Sequence, residues 1–401
     1  MKKLLFLCAL LLLICISCAG AEKAKEITKE CTFRFSGAEG RIAHIHDGDY
    51  ETYMESPRKE KHRLYITTGK TPAAGVYVEF GIRRLPFTVE VKKGDKWVKI
   101  ASSEGRFAQE YVSFAPVTGE LRLNIGGAGS NKIIRIYEIT VLGKGDIDTN
   151  KIHVWQPTVK KADLLLSVTH PDDELLWFGG LIPYYTIEKK LNVLVSYLAV
   201  FNSCRELELL NGLWHCGVRN YPEIAYLEDF SASTKKEVYA KWGSSAAEEY
   251  LVEIIRKYRP EVVVTHDFNG EYGHGQHLVC AESTEDAVSY AANAKKYKDS
   301  ARKYGTWQTK KFYVHLGKGT TVMDWHQPVS GKNGKTGFQI ASEAYQMHRS
   351  QLKDGNIYVM ADRGTKYDSF LFTLISTRVG NDKKGGDLFE NIPAKNLSNY
   401  K

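Results

Sequence analysis

Residues 163–174 read Asp163-Leu164-Leu165-Leu166-Ser167-Val168-Thr169-His170-Pro171-Asp172-Asp173-Glu174. The run up to Thr169 is continuously apolar and of strand length, which is the texture of a strand buried on both faces of a parallel sheet. Similar runs recur at residues 191–200 and 261–265, with helical patterns between and after them. The helix before the third run is the best marked. Ser245-Ala246-Ala247-Glu248 fits a capping box, Leu251, Ile254, Ile255 and Tyr258 fall on one face, and Pro260 stops it. Strand, helix and strand in that order predict a three-layer, Rossmann-like α/β domain at residues 162–392, its last part a mixed extension of strands, loops and helices. No dinucleotide-type GxGxxG follows the first strand.

Upstream the texture differs. Short alternating runs at 63–67, 75–80, 87–91, 97–100, 121–125 and 133–141, separated by Gly, Lys-Gly-Asp and Pro turns, predict an N-terminal β-sandwich at residues 26–145. Residues 146–161 are polar, contain Pro157 and hold no period, so a linker is expected there.

At the amino terminus Lys2 and Lys3 precede an apolar run over residues 4–16, which is short for a membrane span but suits a secretory signal. Ser17, Cys18, Ala19 and Gly20 follow, resembling a bacterial lipoprotein signal. That resemblance makes residues 1–18 a signal segment, Cys18 the lipidated residue, and the protein an exported lipoprotein anchored to a membrane facing periplasm or cell exterior. Cys15 stands where such signals prefer Leu, so an ordinary soluble secretory signal stays open.

With Lys2 and Lys3 removed, 53 of the 55 basic residues face 47 acidic ones. The excess is small and no long basic stripe accompanies it, which argues against nucleic acid as a partner. Beyond Cys18, Cys31, Cys204, Cys216 and Cys280 are too few for a disulfide scaffold. Cys204 and Cys216 are open to pairing or to burial as free thiols. There is no CxxC, hence no case for a structural zinc cluster.

Chemistry concentrates at the ends of two strands. Ligands of open α/β sheets bind outside the carboxyl ends of the strands, and His170 to Glu174 sit at such an end. An imidazole and a carboxylate three residues on, His170 and Asp173, can converge on one divalent ion while Asp172 stays free as a base. The same acids would also complement a helix dipole. After the strand at 261–265 come His266-Asp267-Phe268-Asn269-Gly270-Glu271-Tyr272-Gly273-His274-Gly275-Gln276-His277. His277 as third ligand would leave an open position, as in a catalytic zinc site, with His274 facing substrate.

The strand with HPDDE and the later GHxxH resembles the PIG-L/LmbE-like family of zinc-dependent N-acetylglucosaminyl deacetylases. Arg205-Glu206-Leu207-Glu208 is similar to the family's RxxE and His348-Arg349-Ser350-Gln351 to its HxSQ. The resemblance implies Zn²⁺ on His170, Asp173 and His277, Asp172 as general base, His274 as the cation that steadies the oxyanion, Tyr272 near the scissile carbonyl and Arg205 at the substrate. Gly275-Gln276 departs from the Pro-Asp of many members, and Gln276 is expected to take the place of the acid that orients His274.

In the upstream module, the stretch from Ile45 to Tyr53 with the closing strand at 136–141 resembles discoidin-like (coagulation-factor C-domain) modules, which often bind sugars. That resemblance implies a structural Ca²⁺ on Asp47, Asp49, Thr52 and Glu138, the alternative being a plain Asp-Gly turn. An N-acetylated glycan is the expected substrate, its acetyl group removed by metal-activated water. Two competing readings are a zinc amidase or esterase acting on a non-sugar acyl group, and a non-catalytic glycan-binding lipoprotein.

Overall fold

The computed structural model describes residues 22–37, 39–58, 62–81, 83–126, 132–353 and 359–399. The expected signal segment and Cys18 lie outside them. Among the described residues no helix is long and apolar enough to cross a membrane.

The amino-terminal half holds β1 (Thr32–Phe35), β2 (Met54–Glu55), β3 (His62–Thr67), β4 (Ala73–Phe80), β5 (Phe87–Lys93), β6 (Lys96–Ser103), β7 (Gln109–Val117), β8 (Glu120–Ile125) and β9 (Arg135–Leu142). They form two antiparallel sheets, ordered β1-β3-β8-β5-β6 and β2-β9-β4-β7. Alternation explains the packing: Leu64 and Ile66 of β3 and Leu121, Leu123 and Ile125 of β8 turn inward to meet Val76, Val78, Ile139 and Val141 of the other sheet. β1, β2 and β7 carry no clear period and were not expected from the sequence.

The second half is one seven-stranded sheet of β10 (Leu164–Val168), β11 (Val193–Ala199), β12 (Glu223–Leu227), β13 (Val262–Thr265), β14 (Lys311–His315), β15 (Thr321–Val322) and β16 (Leu371–Thr377), in the order β12-β11-β10-β13-β14-β16-β15. The first five in that order are parallel, and β16 and β15 extend the sheet antiparallel. The carboxyl-terminal residues therefore complete the sheet itself. Helices α1 (Asp173–Leu176), α2 (Leu181–Pro183), α3 (Ser203–His215), α4 (Lys235–Trp242), α5 (Ala246–Tyr258), α6 (Gly275–Ala291), α7 (Lys298–Tyr304), α8 (Gly337–Tyr345) and α9 (Arg349–Lys353) flank it. Leu164, Leu166 and Val168 face one apolar layer, with α1, α3 and α8; Leu165 faces the other, with α5 and α6.

α5 buries Leu251, Ile254, Ile255 and Tyr258 as its period predicts. Its start corrects the expectation, because Ser245 makes no side-chain cap bond. The chain's capping boxes stand at Thr234 with Glu237 before α4 and at Thr336 with Gln339 before α8. All four described cysteines are unpaired, so Cys204 and Cys216 are buried free thiols.

The two halves are packed against each other. Trp155, in the segment between them, is buried and donates Nε1–H to Gln109 Oε1 at 2.7 Å, while Gln109 Nε2 donates to both Glu79 and Asn211. Arg84 of the sandwich pairs with Glu206 of α3.

Candidate active site

β10 has β11 on one side and β13 on the other, so the strand order reverses between β10 and β13 and a crevice opens at their carboxyl ends. The loop leaving β10 carries His170 to Glu174, and the loop leaving β13 carries His266 to His277. Sheet topology thus brings residues a hundred positions apart into one crevice.

Three donor groups meet there. His170 Nδ1 lies 3.1 Å from His277 Nε2 and 3.3 Å from Asp173 Oδ2, and His277 Nε2 is 3.3 Å from Asp173 Oδ1. For ligand bonds of about 2.0–2.1 Å, a tetrahedral ion separates its ligand atoms by roughly 3.3–3.4 Å, so the triangle has the dimensions of a divalent site. The remaining ring nitrogens are committed. His170 Nε2 donates to Gln276 Oε1 at 2.6 Å, and Gln276 Nε2 is fixed by Glu228 O at 2.9 Å. His277 Nδ1 donates to Glu271 Oε2 at 2.9 Å. Each ring thereby has its outer nitrogen fixed on an acceptor and its other nitrogen turned toward Asp173, as outer partners of metal-binding histidines do.

Four histidines and one aspartate fall into two overlapping donor groups, His170 with His274 and His277, and Asp173 with His266 and His277. The triangle of His170, Asp173 and His277 draws on both groups, and hydrogen bonds set His266 apart from it. His266 accepts the Thr169 N–H on Nε2 at 3.1 Å and donates from Nδ1 to Glu271 at 3.0 Å, so neither nitrogen is left to ligate. Glu271, fully buried, also accepts from His315 Nδ1 and the Asp267 N–H. Burial would raise this carboxyl, yet His266 and its other donors hold it well below the usual range. Burial likewise opposes ionisation of Asp173, and His277 and His266 outweigh it. Glu271, His266 and His315 were given no role on sequence grounds. The legible signal was a Glu in a Gly-rich loop immediately beyond a buried strand.

Asp172 sits beside the triangle with φ of 109°, a left-handed backbone that an aspartate adopts only under constraint. Burial pushes its carboxyl up to about 6 against the pull of Arg205. Arg205 Nη2 donates to Asp172 Oδ2 at 3.0 Å and to Pro171 O, and Nη1 lies 3.6 Å from Asp229 Oδ2. Arg205 thus lines the cavity with its charge also engaged with Asp172. Asp229, unnoticed in the sequence, also stands 3.6 Å from His170 Nε2.

His274 lines the same cavity. Its Nδ1 accepts the Gln276 N–H at 3.2 Å, which places the ring proton on Nε2. Burial, with His170 and His277 nearby, lowers its pKa to about 3. Burial thus works against the cationic form expected of His274, and the Gln276 side chain orients His170 instead of His274. Tyr272 is 45% exposed and packs its ring 5.7 Å from His274 and 5.8 Å from Trp177. Glu208 accepts from Ser350 N and Oγ at 2.7 and 2.6 Å, locking the RxxE segment to the HxSQ segment, whose Gln351 lines the cavity. The cavity itself is about 150 Å³ and is walled by Asp172, Trp177, Tyr272 and His274 among others.

The sandwich loop is different. Asp47 Oδ2 accepts from Thr52 Oγ1 at 2.8 Å and Oδ1 from Asp49 N–H at 3.0 Å, while Glu138 Oε1 accepts from Gly48 N–H at 2.7 Å. Asp49 Oδ1 accepts from Glu51 N–H at 3.0 Å. These oxygens bond within the loop, as in an Asx-stabilised turn. Among the described residues the candidate metal groups include none of them, so the calcium expectation gains no support.

Residues 165–288 match the family described as PIG-L: GlcNAc-PI de-N-acetylase. A 1D-myo-inositol 2-acetamido-2-deoxy-alpha-D-glucopyranoside deacetylase of Catenulispora acidiphila is 28% identical over 165 residues, 34% of this chain and 51% of its own length. The chain spans about half the length of that curated relative. The solved N,N'-diacetylchitobiose deacetylase of Pyrococcus horikoshii is 16% identical, covering 55% of this chain and 87% of its own, with a TM-score of 0.39. The family 32 CBM from C. perfringens NanJ, solved with galactose, is 15% identical over 30% of this chain and 98% of its own, with a TM-score of 0.26. Residues 165–288 are thus similar to PIG-L family deacetylase domains.

Proposed function

We propose that the protein is a zinc-dependent hydrolase that removes the acetyl group from an N-acetylglucosamine-type sugar or glycoconjugate. The observation that carries this reading is the triangle of His170 Nδ1, Asp173 and His277 Nε2, with edges of 3.1 to 3.3 Å and Asp172 beside it. Bound there, zinc supplies Lewis acidity that polarises an amide carbonyl and makes water a stronger acid.

This chain's own residues do the rest. Asp172 receives a proton from the attacking water, and Arg205 keeps its carboxylate aimed and ionised. The Nε2–H of His274 donates to the carbonyl oxygen as it gains charge, a preorganised neutral donor. The proton held by Asp172 then passes to the departing nitrogen, so amide and water become acetate and amine. A cavity of about 150 Å³ admits the acetamide and leaves the sugar ring across the mouth, against the exposed face of Tyr272. Glycan binding by the sandwich and lipid anchoring through Cys18 belong to the same reading.

The test is Asp172→Asn. Zinc content should be kept and turnover on N-acetylglucosamine oligomers should fall by roughly 10²–10⁴-fold, the usual worth of a general base. Loss of zinc from this variant, with zinc retained in Asp173→Asn, would exchange the two roles. Faster turnover of simple acyl esters than of the acetylated sugars would favour the esterase alternative.

A further inference from the structure

We propose that a second cavity, where the sandwich, the connecting segment and the α/β domain meet, binds a small phosphate- or sulfate-bearing anion. Its volume is about 410 Å³, inside the ~300–1,000 Å³ in which small molecules are usually bound. Five cationic side chains line it: Lys151 from the connecting segment, Arg219 beyond α3, Lys332 and Lys335 before α8, and Arg349 at the start of α9. Glu343 is the one carboxylate among the described lining residues. It is already engaged, accepting from Lys335 Nζ at 2.7 Å and His215 Nε2 at 3.0 Å.

The other four cations have no carboxylate partner among the described residues. Arg219 spends Nη1 on the carbonyls of Trp214 and Val218, at 2.7 and 2.8 Å, and lies 4.0 Å over the Trp214 ring. Arg349 Nη1 reaches the Gly48 carbonyl at 3.3 Å. Arg219 itself is exposed, so its remaining guanidinium donors are open to a ligand. A concave site lined by one sign of charge concentrates counter-ions, and a fork of guanidinium donors with lysines around it matches the oxygens of phosphate or sulfate. The cavity shares no lining residue with the catalytic one. An occupant would touch both halves of the molecule and would stabilise their packing by mass action.

Calorimetric titration of the full chain tests this, with inorganic phosphate, glucosamine 6-phosphate and N-acetylglucosamine 6-sulfate as probes and N-acetylglucosamine as the neutral control. At least one anion should bind saturably, and in Arg219→Gln/Lys332→Gln its affinity should fall by about tenfold or more while turnover of a neutral acetylated amino sugar is unchanged. Tighter binding of the sugar esters than of inorganic phosphate would make the ligand a charged saccharide; the reverse order would make it the free ion. Should that pair of substitutions prevent folding, Lys151→Gln/Arg349→Gln provides the same comparison. No saturable binding of any anion, or equal affinity in the variant, overturns the proposal. Because none of these residues lines the catalytic cavity, such a failure leaves the deacetylase reading untouched.

Discussion

At the carboxyl edge of the large sheet, Asp173 and Glu271 are buried against imidazoles of His170, His266, His277 and His315, and burial fails to neutralise them. Across the domain junction Glu79 is equally buried, accepting from Tyr50 Oη and Gln109 Nε2 at 2.8 Å each, and burial pushes it up to about 7. Glu138, buried beside Glu79 and Asp47, is pushed up to about 8. Both regions are acid-rich, yet imidazoles outweigh burial at Asp173 and Glu271, whereas burial prevails at Glu79 and Glu138. The difference teaches that the partners standing behind a buried carboxyl, more than its burial, decide whether it keeps its charge.

The strongest way to break this contrast is His277→Ala. It removes one corner of the triangle, and both zinc and activity should vanish; full zinc occupancy by elemental analysis would leave the triangle without meaning. A sharper probe is Glu271→Gln, which keeps the shape but removes the charge on which three histidines converge. Metal affinity, read by chelator competition, should drop by about 10–100-fold, the usual cost of losing an outer partner. Undiminished affinity would reduce Glu271 to a packing residue.

The smallest effect belongs to the other region. The Glu79 carboxyl is raised from 4.5 to about 7 in the fold, so the fold prefers its neutral form. That preference is fully present below about pH 4.5 and is lost as pH rises through about 7. Glu79→Gln, which keeps an acceptor oxygen for Tyr50, should therefore raise Tm more at pH 8 than at pH 5. An equal shift at both would mean that Glu79 stays ionised in the fold.

What could be read in advance follows the range of the interactions. The run at 163–169 and its neighbours are local apolar patterns, so the strands and the residues at their ends were legible. His170, Asp172, Asp173, Tyr272, His274 and His277 do come together, since strand ends converge at a switch point. Gln276 was misread because its amide crosses to His170, a contact 106 positions away that no local pattern encodes. The pairing of Arg205 with Asp172, 33 positions distant, was not legible for the same reason. The Ser245 box fits by spacing alone, but Ser245 has φ of −123° with ψ of −4°, outside the extended backbone of Thr234 and Thr336, which do form capping boxes.

His170 and His277 are separated by 107 positions and meet only when β10 and β13 lie side by side. Parallel pairing across so long an interval is costly in chain entropy and is among the slow steps in building a sheet. An ion that needs both imidazoles consequently has nothing to hold it in a half-built chain. If the proposed ion is held there, its capture would report that this long-range pairing has formed.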